Sequence, residues 1–96
     1  MKKPLVVRPQ VFARLAALPA SDRSECWDAL LQLAETFGRP PVHSGIGIRK
    51  LGWHLFECRG NRSLRFLFLD LEDSIEVRFL RDHDEVRQEL KGGKHD

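Results

Sequence analysis

The chain reads as an α+β domain, with an N-terminal strand and a helical hairpin packed on one face of a mainly antiparallel sheet of about four strands. Three observations predict this. Apolar residues recur at helical spacing through the first third of the chain, alternate with a period of two after Gly45 and Gly47, and the two regimes are separated by Gly38 and Pro40-Pro41. With 96 residues and 42% of them apolar, there is enough to close one core and not two.

Leu5-Val6-Val7-Arg8 is a short β-branched run that predicts a first strand, and Pro9 stands where a helix can begin. Val11, Phe12, Leu15 and Leu18 keep helical spacing until Pro19 stops them. Ser21 or Asp22 then caps a second helix, with Glu25 three residues past Asp22 as in a capping box. Cys26, Trp27, Leu30, Leu33, Ala34 and Phe37 form one stripe, read as core, and Gly38 ends the helix.

Ile48 to Leu51 and Leu55 to Arg59 predict two short strands, or one strand broken at Gly52, and Gly60-Asn61-Arg62 supplies a turn. Ser63 to Leu71 is the clearest strand of all. Its Leu64, Phe66 and Phe68 point to one face and Arg65, Leu67 and Leu69 to the other, so it is apolar on both sides and belongs in the middle of the sheet. After Glu72-Asp73-Ser74, Ile75, Val77 and Phe79 alternate with Glu76, Arg78 and Leu80 in a hairpin partner. Asp82 and Glu85 repeat the capping-box spacing, and Val86 and Leu90 give a short C-terminal helix its apolar side. Residues 1–91 are expected to form the single domain and 92–96 a flexible charged tail.

Sixteen Lys and Arg against fourteen Asp and Glu, a net +2 with 31% of residues charged, exclude disordered and collagen-like chains. No apolar run approaches the roughly 20 residues of a bilayer span, and the expectation is a cytoplasmic protein that does not engage a membrane. Cys26 and Cys58 lack C-x-x-C spacing and read as buried reduced thiols. His43, His54, His83 and His95 form no metal-ligand cluster in sequence, so neither a metal nor another cofactor is expected.

Charge is distributed unevenly. Arg49, Lys50, Arg59, Arg62 and Arg65 share their stretch with Glu57 alone, whereas Asp70, Glu72, Asp73 and Glu76 follow without a basic residue. That basic surface suits a pocket for one or a few phosphates, since the planar guanidinium fork matches phosphate oxygens. The sheet face opposite the helices would carry it: Arg65 projects from the central strand, with Arg59 on its predecessor and Arg78 or Arg81 on its successor within cross-strand reach. Structural roles compete at each position. Arg65 has Asp70 or Glu76 as ion-pair partners, Glu57 has Arg59 or Arg65, His83 can serve a helix cap, and Trp53 and His54 either stack on a base or tuck against the sheet edge.

Lys50-Leu51-Gly52, Leu55-Phe56-Glu57-Cys58-Arg59, Leu64-Arg65-Phe66-Leu67-Phe68 and Ile75-Glu76-Val77 running to His83, taken after the helical hairpin, resemble the RelE/ParE superfamily of small bacterial toxins. The likeness is to its RelE/YoeB-like and HigB-like branches and spans Leu5 to Leu90. Arg65 matches the central arginine and His83 the histidine of the last motif. The chain departs from the pattern in having no tyrosine, with Asp84 after His83, and in carrying Leu55 and Glu57 where some members have basic residues.

The resemblance implies a metal-independent, ribosome-dependent mRNA endoribonuclease in which the ribose 2′-hydroxyl attacks the adjacent phosphate. It implies a cognate antitoxin protein, the ribosome and mRNA as partners. Such chemistry needs a base, cations for the phosphate and an acid for the leaving oxygen. His83 is the natural titrating group and Glu57 a second; Arg65 is the phosphate clamp, with Arg59, Arg78 and Arg81 as sources of a second cation. Arg49, Lys50, Arg62, Arg78, Trp53 and His54 are the expected RNA contacts. The same fold also admits a ParE-like gyrase poison, or a catalytically degenerate protein that only binds its antitoxin. An RNA-binding accessory domain is a further class.

Overall fold

The computed structural model describes residues 3–37, 47–82 and 84–86. In chain order these form β1 (Leu5–Val7), α1 (Pro9–Ala17), α2 (Ala20–Thr36), β2 (Arg49–Lys50), β3 (Leu55–Arg59), β4 (Leu64–Asp70) and β5 (Ile75–Asp82). The sheet order is β1-β5-β4-β3-β2, with β1 parallel to β5 and every other pair antiparallel. Five strands replace the expected four or so because β1 and the two-residue β2 both join as edges. β4 lies in the middle, as its two apolar faces require.

The helices cover one side of this sheet. Val11 and Leu15 of α1 and Cys26, Leu30 and Leu33 of α2 pack against Cys58, Leu64, Phe66, Phe68, Ile75, Val77 and Leu80. Phe37 closes the end of this core by meeting Phe56 and Phe68 edge-on at 5.3 and 5.2 Å, while Phe56 and Phe68, cross-strand neighbours, stack at 5.5 Å. Such contacts make the aromatic trio a packed plug between α2 and β3–β4.

Three expectations are corrected. Neither Ser21 nor Asp22 caps α2, whose cap position is Pro19 with no side-chain hydrogen bond. Asp22 sits in the first turn and accepts a hydrogen bond from Asn61 Nδ2 at 3.1 Å, so the carboxylate serves the β3–β4 turn and not its own helix. Trp27 is not core: it is 39% exposed and its ring lies 5.9 Å from that of Phe12, itself 45% exposed, on the outer side of the hairpin. The third concerns β5. A bulge between Leu67 and Phe68 in the β4–β5 register leaves Arg78 without a cross-strand partner, and the alternation reverses there. Val77 faces the helices before the bulge and Leu80, 1% exposed, faces them after it, so Phe79 moves to the opposite side. Strict alternation had placed Phe79 with Val77.

Local polar contacts fix the turns. Asn61 Oδ1 accepts from the backbone N–H groups of Ser63 and Leu64 at 3.0 and 2.9 Å, which makes the β3–β4 connection an Asx turn. Gly60 stands beneath α2, where an added Cβ would lie 3.1 Å from Cys26 Sγ and 3.2 Å from a Phe66 ring carbon. Lys3 pairs with Asp70 and donates to the Leu71 carbonyl at 2.8 Å, tying the N-terminal segment to the β4–β5 turn.

At the end of β5 the capping box forms as its spacing predicts: Asp82 N–H donates to Glu85 Oε1 at 2.9 Å and Glu85 N–H to Asp82 Oδ1 at 2.8 Å. Glu85 also receives a two-point bond from Arg14 of α1, at 2.8 and 3.2 Å. The bond from Arg14 and the backbone N–H of Asp82 hold the Glu85 carboxyl down at about 2. Leu90, Gly38, Pro40-Pro41, Gly45 and the 92–96 tail lie outside the described residues.

Two outcomes follow. Asn61→Ala removes the acceptor from two backbone donors and should cost about 2 kcal/mol in urea unfolding, whereas Asn61→Asp keeps the acceptor but opposes Asp22. Glu85, lowered from its ordinary 4.5 to about 2, contributes stability that is complete above pH 4.5 and lost as pH falls toward 2. Unfolding of Glu85→Gln across that window should therefore show a shallower decline than the wild type.

Candidate phosphate-binding site

The pairing of β3, β4 and β5 determines what stands on the face away from the helices. Arg59 lies directly opposite Arg65, and Arg65 directly opposite Arg81, so three arginines from three strands form one cross-strand row. Directly paired residues are about 4.5–5.5 Å apart at Cα and share a face. The next row contains Arg49, Glu57, Leu67 and Phe79. The bulge is what brings Arg81 into the first row. Continued from Phe68–Val77 without it, the register would set Leu80 opposite Arg65 and turn Arg81 to the helices.

Arg65 is half-buried. Its Nη1 donates to the carbonyls of Asn61 and Leu64, both at 2.9 Å, and more distantly to that of Arg62 at 3.4 Å. The turn thereby holds the guanidinium in place, and neither Asp70 nor Glu76 is its partner: Asp70 binds Lys3, and Glu76 binds Arg78 Nε at 3.1 Å. Arg81 places its guanidinium carbon 4.6 Å from the centre of the Phe79 ring, two residues back on the same strand. Arg59 is exposed at the end of β3, and Gly47 packs on it at φ 69°, where an added Cβ would lie 3.2 Å from Arg59 Cβ. Gly47, Phe79 and the Asn61 carbonyl were not singled out from sequence. Only Phe79 left a signal there, its spacing of two from Arg81.

Glu57 is 5% exposed, and its Oε1 pairs with Arg49 at 2.9 Å rather than with Arg59 or Arg65. Its Oε2 is buried with no hydrogen-bond partner among the described residues. Gly47, Ile48, Arg49, Glu57, Arg59 and Arg65 together line a cleft of about 330 Å³. The cleft thus has guanidinium walls and a buried carboxylate in its lining. On the other side of β3, the Cys58 thiol is pushed up to about 12, first by burial and then by the Glu57 carboxylate. Burial, then Asp22 and Glu25, raise Cys26 to about 11. Both are protonated at neutral pH and unsuited to nucleophilic work.

The remaining expected contacts divide in space. Arg62 is exposed on the β3–β4 turn beside Arg65. Arg49 borders the cleft, while Lys50 pairs opposite Phe56 and so stands on the helix side of β2. Arg78 is the bulged residue, paired with Glu76. Trp53 and His54 lie just before β3, whose first residue, Leu55, is about 13 Å along the strand from Arg59 at ~3.3 Å per residue. His83, His43 and His95 lie outside the described residues. Among the described residues no three His, Cys, Asp or Glu side chains come together as metal ligands, and no helix is long and apolar enough to cross a membrane.

Neither a protein-family model nor a curated protein matches the chain in sequence. Solved structures do match it in shape. A chain of the archaeal RelE-RelB complex from Pyrococcus horikoshii OT3 superposes with a TM-score of 0.64 at 19% identity, over 85% of this chain and 96% of that one. The YoeB dimer from Staphylococcus aureus gives 0.65 at 17% identity, over 86% and 99% of the two chains. The heterotetrameric YoeB-YefM toxin-antitoxin complex from the same organism gives 0.61 at 17% identity, with the same coverage. At such identities the likeness is one of architecture: the chain has the RelE/YoeB fold, from its first strand through the paired helices to the mixed sheet.

Proposed function

We propose that this chain is the toxin of a toxin–antitoxin pair and acts as a ribosome-dependent mRNA endoribonuclease. One observation carries the reading: Arg59, Arg65 and Arg81 stand directly opposite one another beside the buried Glu57 carboxylate. Like charges directly across a ladder destabilise a sheet. A row of three guanidinium groups on one face concentrates positive charge where an anion can bind, and a backbone phosphate with its two non-bridging oxygens matches the guanidinium forks. The shared fold with RelE and YoeB structures supports the same reading.

In this mechanism the 2′-hydroxyl of one nucleotide attacks the adjacent phosphorus and the 5′-oxygen leaves. Arg65, held by the turn carbonyls, binds the phosphate in a fixed orientation. Arg59 and Arg81 neutralise the charge that gathers on its oxygens as the fifth bond forms. Glu57 Oε2, buried without a hydrogen-bond partner among the described residues, takes the 2′ proton once substrate opens its side of the cleft. His83, one residue beyond β5, is the group assigned to protonate the leaving oxygen. The ribosome supplies the splayed mRNA that aligns attacking and leaving oxygens. A cognate antitoxin, of the kind present in the RelE-RelB and YoeB-YefM complexes, would restrain the activity in the cell.

A second reading has specific support. Arg65 Nη1 is taken up by backbone carbonyls and the chain has no tyrosine, both consistent with a protein of this fold that binds its antitoxin without cleaving RNA.

Induced expression with and without the neighbouring reading frame, followed by mapping of mRNA 5′ ends, separates these. The expected result is growth arrest with cuts inside translated codons, lowered about 100-fold by Arg65→Ala and by Glu57→Gln. Arg59→Ala and Arg81→Ala should lower cleavage; replacing the exposed Arg59 should leave thermal stability unchanged or slightly higher by relieving repulsion within the row, whereas Arg81→Ala also gives up its contact with the Phe79 ring. Arrest with intact mRNA and broken DNA would identify a gyrase poison, and an absence of arrest the non-cleaving protein.

A further inference from the structure

The loop joining β2 to β3 bears a feature that the arginine row does not use. Trp53 is 72% exposed, more than any other large apolar side chain described, and is not tucked against the sheet edge. His54 beside it has a left-handed backbone, φ 62°, a conformation that a non-glycine residue keeps only where its surroundings impose it. Its carbonyl accepts from Asp70 N–H at 2.8 Å, which anchors the loop to β4. The two rings lie 4.3 Å apart, tilted by 42°, so the imidazole braces one side of the indole and leaves the rest of it to solvent.

We propose that Trp53, braced by His54, is a stacking platform for one unpaired nucleobase of the RNA whose phosphate occupies the arginine row. The inference rests on the mRNA-cleaving reading and adds a second contact point to it. Exposed Arg49 lies on β2 alongside β3, on the same face as the arginine row, and reaches the cleft itself. An aromatic face combined with cations is how proteins hold single-stranded RNA, stacking on bases and neutralising the backbone. The other side of the loop differs in chemistry. Lys3, His54, Asp70, Leu71 and Glu72 line a hollow of about 400 Å³ there. Carboxylates such as Glu72 accept hydrogen bonds from the amino and imino groups of a base edge but repel phosphate. This end of the sheet therefore takes the base and the arginine end takes the backbone.

The test uses the full chain carrying Trp27→Phe, so that Trp53 alone reports by fluorescence. A short single-stranded RNA is titrated, then the same RNA with one base removed at each position in turn. Trp53 emission should be quenched on binding, and Trp53→Ala should weaken affinity by about tenfold or more, with Trp53→Phe retaining most of it. One abasic position should reproduce that loss in the Trp53 protein and cause no further loss in Trp53→Ala. A flat abasic scan, unquenched emission or unchanged affinity in Trp53→Ala would overturn the platform. So would unchanged RNA binding combined with lost co-purification of the neighbouring gene product, which would make Trp53 a protein contact. A Trp53→Ala chain that cuts mRNA at wild-type positions and rates would remove the platform and leave the cleavage reading standing. Failure of the wild type to cut would remove that reading while the titration still decides the platform.

Discussion

Everything in this molecule depends on how β4 pairs on its two sides. Because its alternate residues are apolar on both faces, β4 takes the centre of the sheet, and its registers with β3 and β5 then dictate which side chains become neighbours. The same ladder that stacks Cys58, Phe66 and Leu80 under the helices sets Arg59, Arg65 and Arg81 side by side above. Core and site are two readings of one set of backbone hydrogen bonds. Hydrophobic burial on the helix side supplies the stability that the repulsive row on the other side draws upon.

The row is also restrained from beneath and from its ends. Asn61 organises the turn whose carbonyls hold Arg65, and Asp22 reaches over from α2 to hold Asn61. One helical carboxylate, one amide and one guanidinium thus form a chain of contacts from the helical layer to the open face. Positioning by packed, hydrogen-bonded supports is what separates a site from a scatter of surface arginines.

Much of this was legible in the sequence because period and punctuation are local properties. The helical stripe of Val11, Leu15, Leu30 and Leu33, the central strand around Phe66 and the capping box of Asp82 and Glu85 all follow from spacing. Arg65 was visible as a charge in an apolar run. What escaped depends on contacts distant in sequence. Asp22 looks like a cap until Asn61, 39 residues on, claims it. Trp27 lies at the border of the apolar stripe, and only the packing of α1 decides that it faces outward with Phe12. Phe79 and Leu80 exchange sides because a bulge at Arg78 breaks the alternation, and nothing nearby in sequence announces a bulge. The ion pair of Glu57 with Arg49 likewise needed the register of an edge strand only two residues long.

The two-point bond between Arg14 and Glu85 has a mechanical side. Glu85 is locked to Asp82, and Asp82 is the residue after Arg81, so a strut runs from α1 to the tip of the strand carrying one end of the arginine row. The helix on one side of the sheet and the charged surface on the other are therefore not independent bodies. A load applied to α1 is passed through Glu85 to Asp82, the residue next to Arg81, by charge-assisted links that have little slack to absorb it.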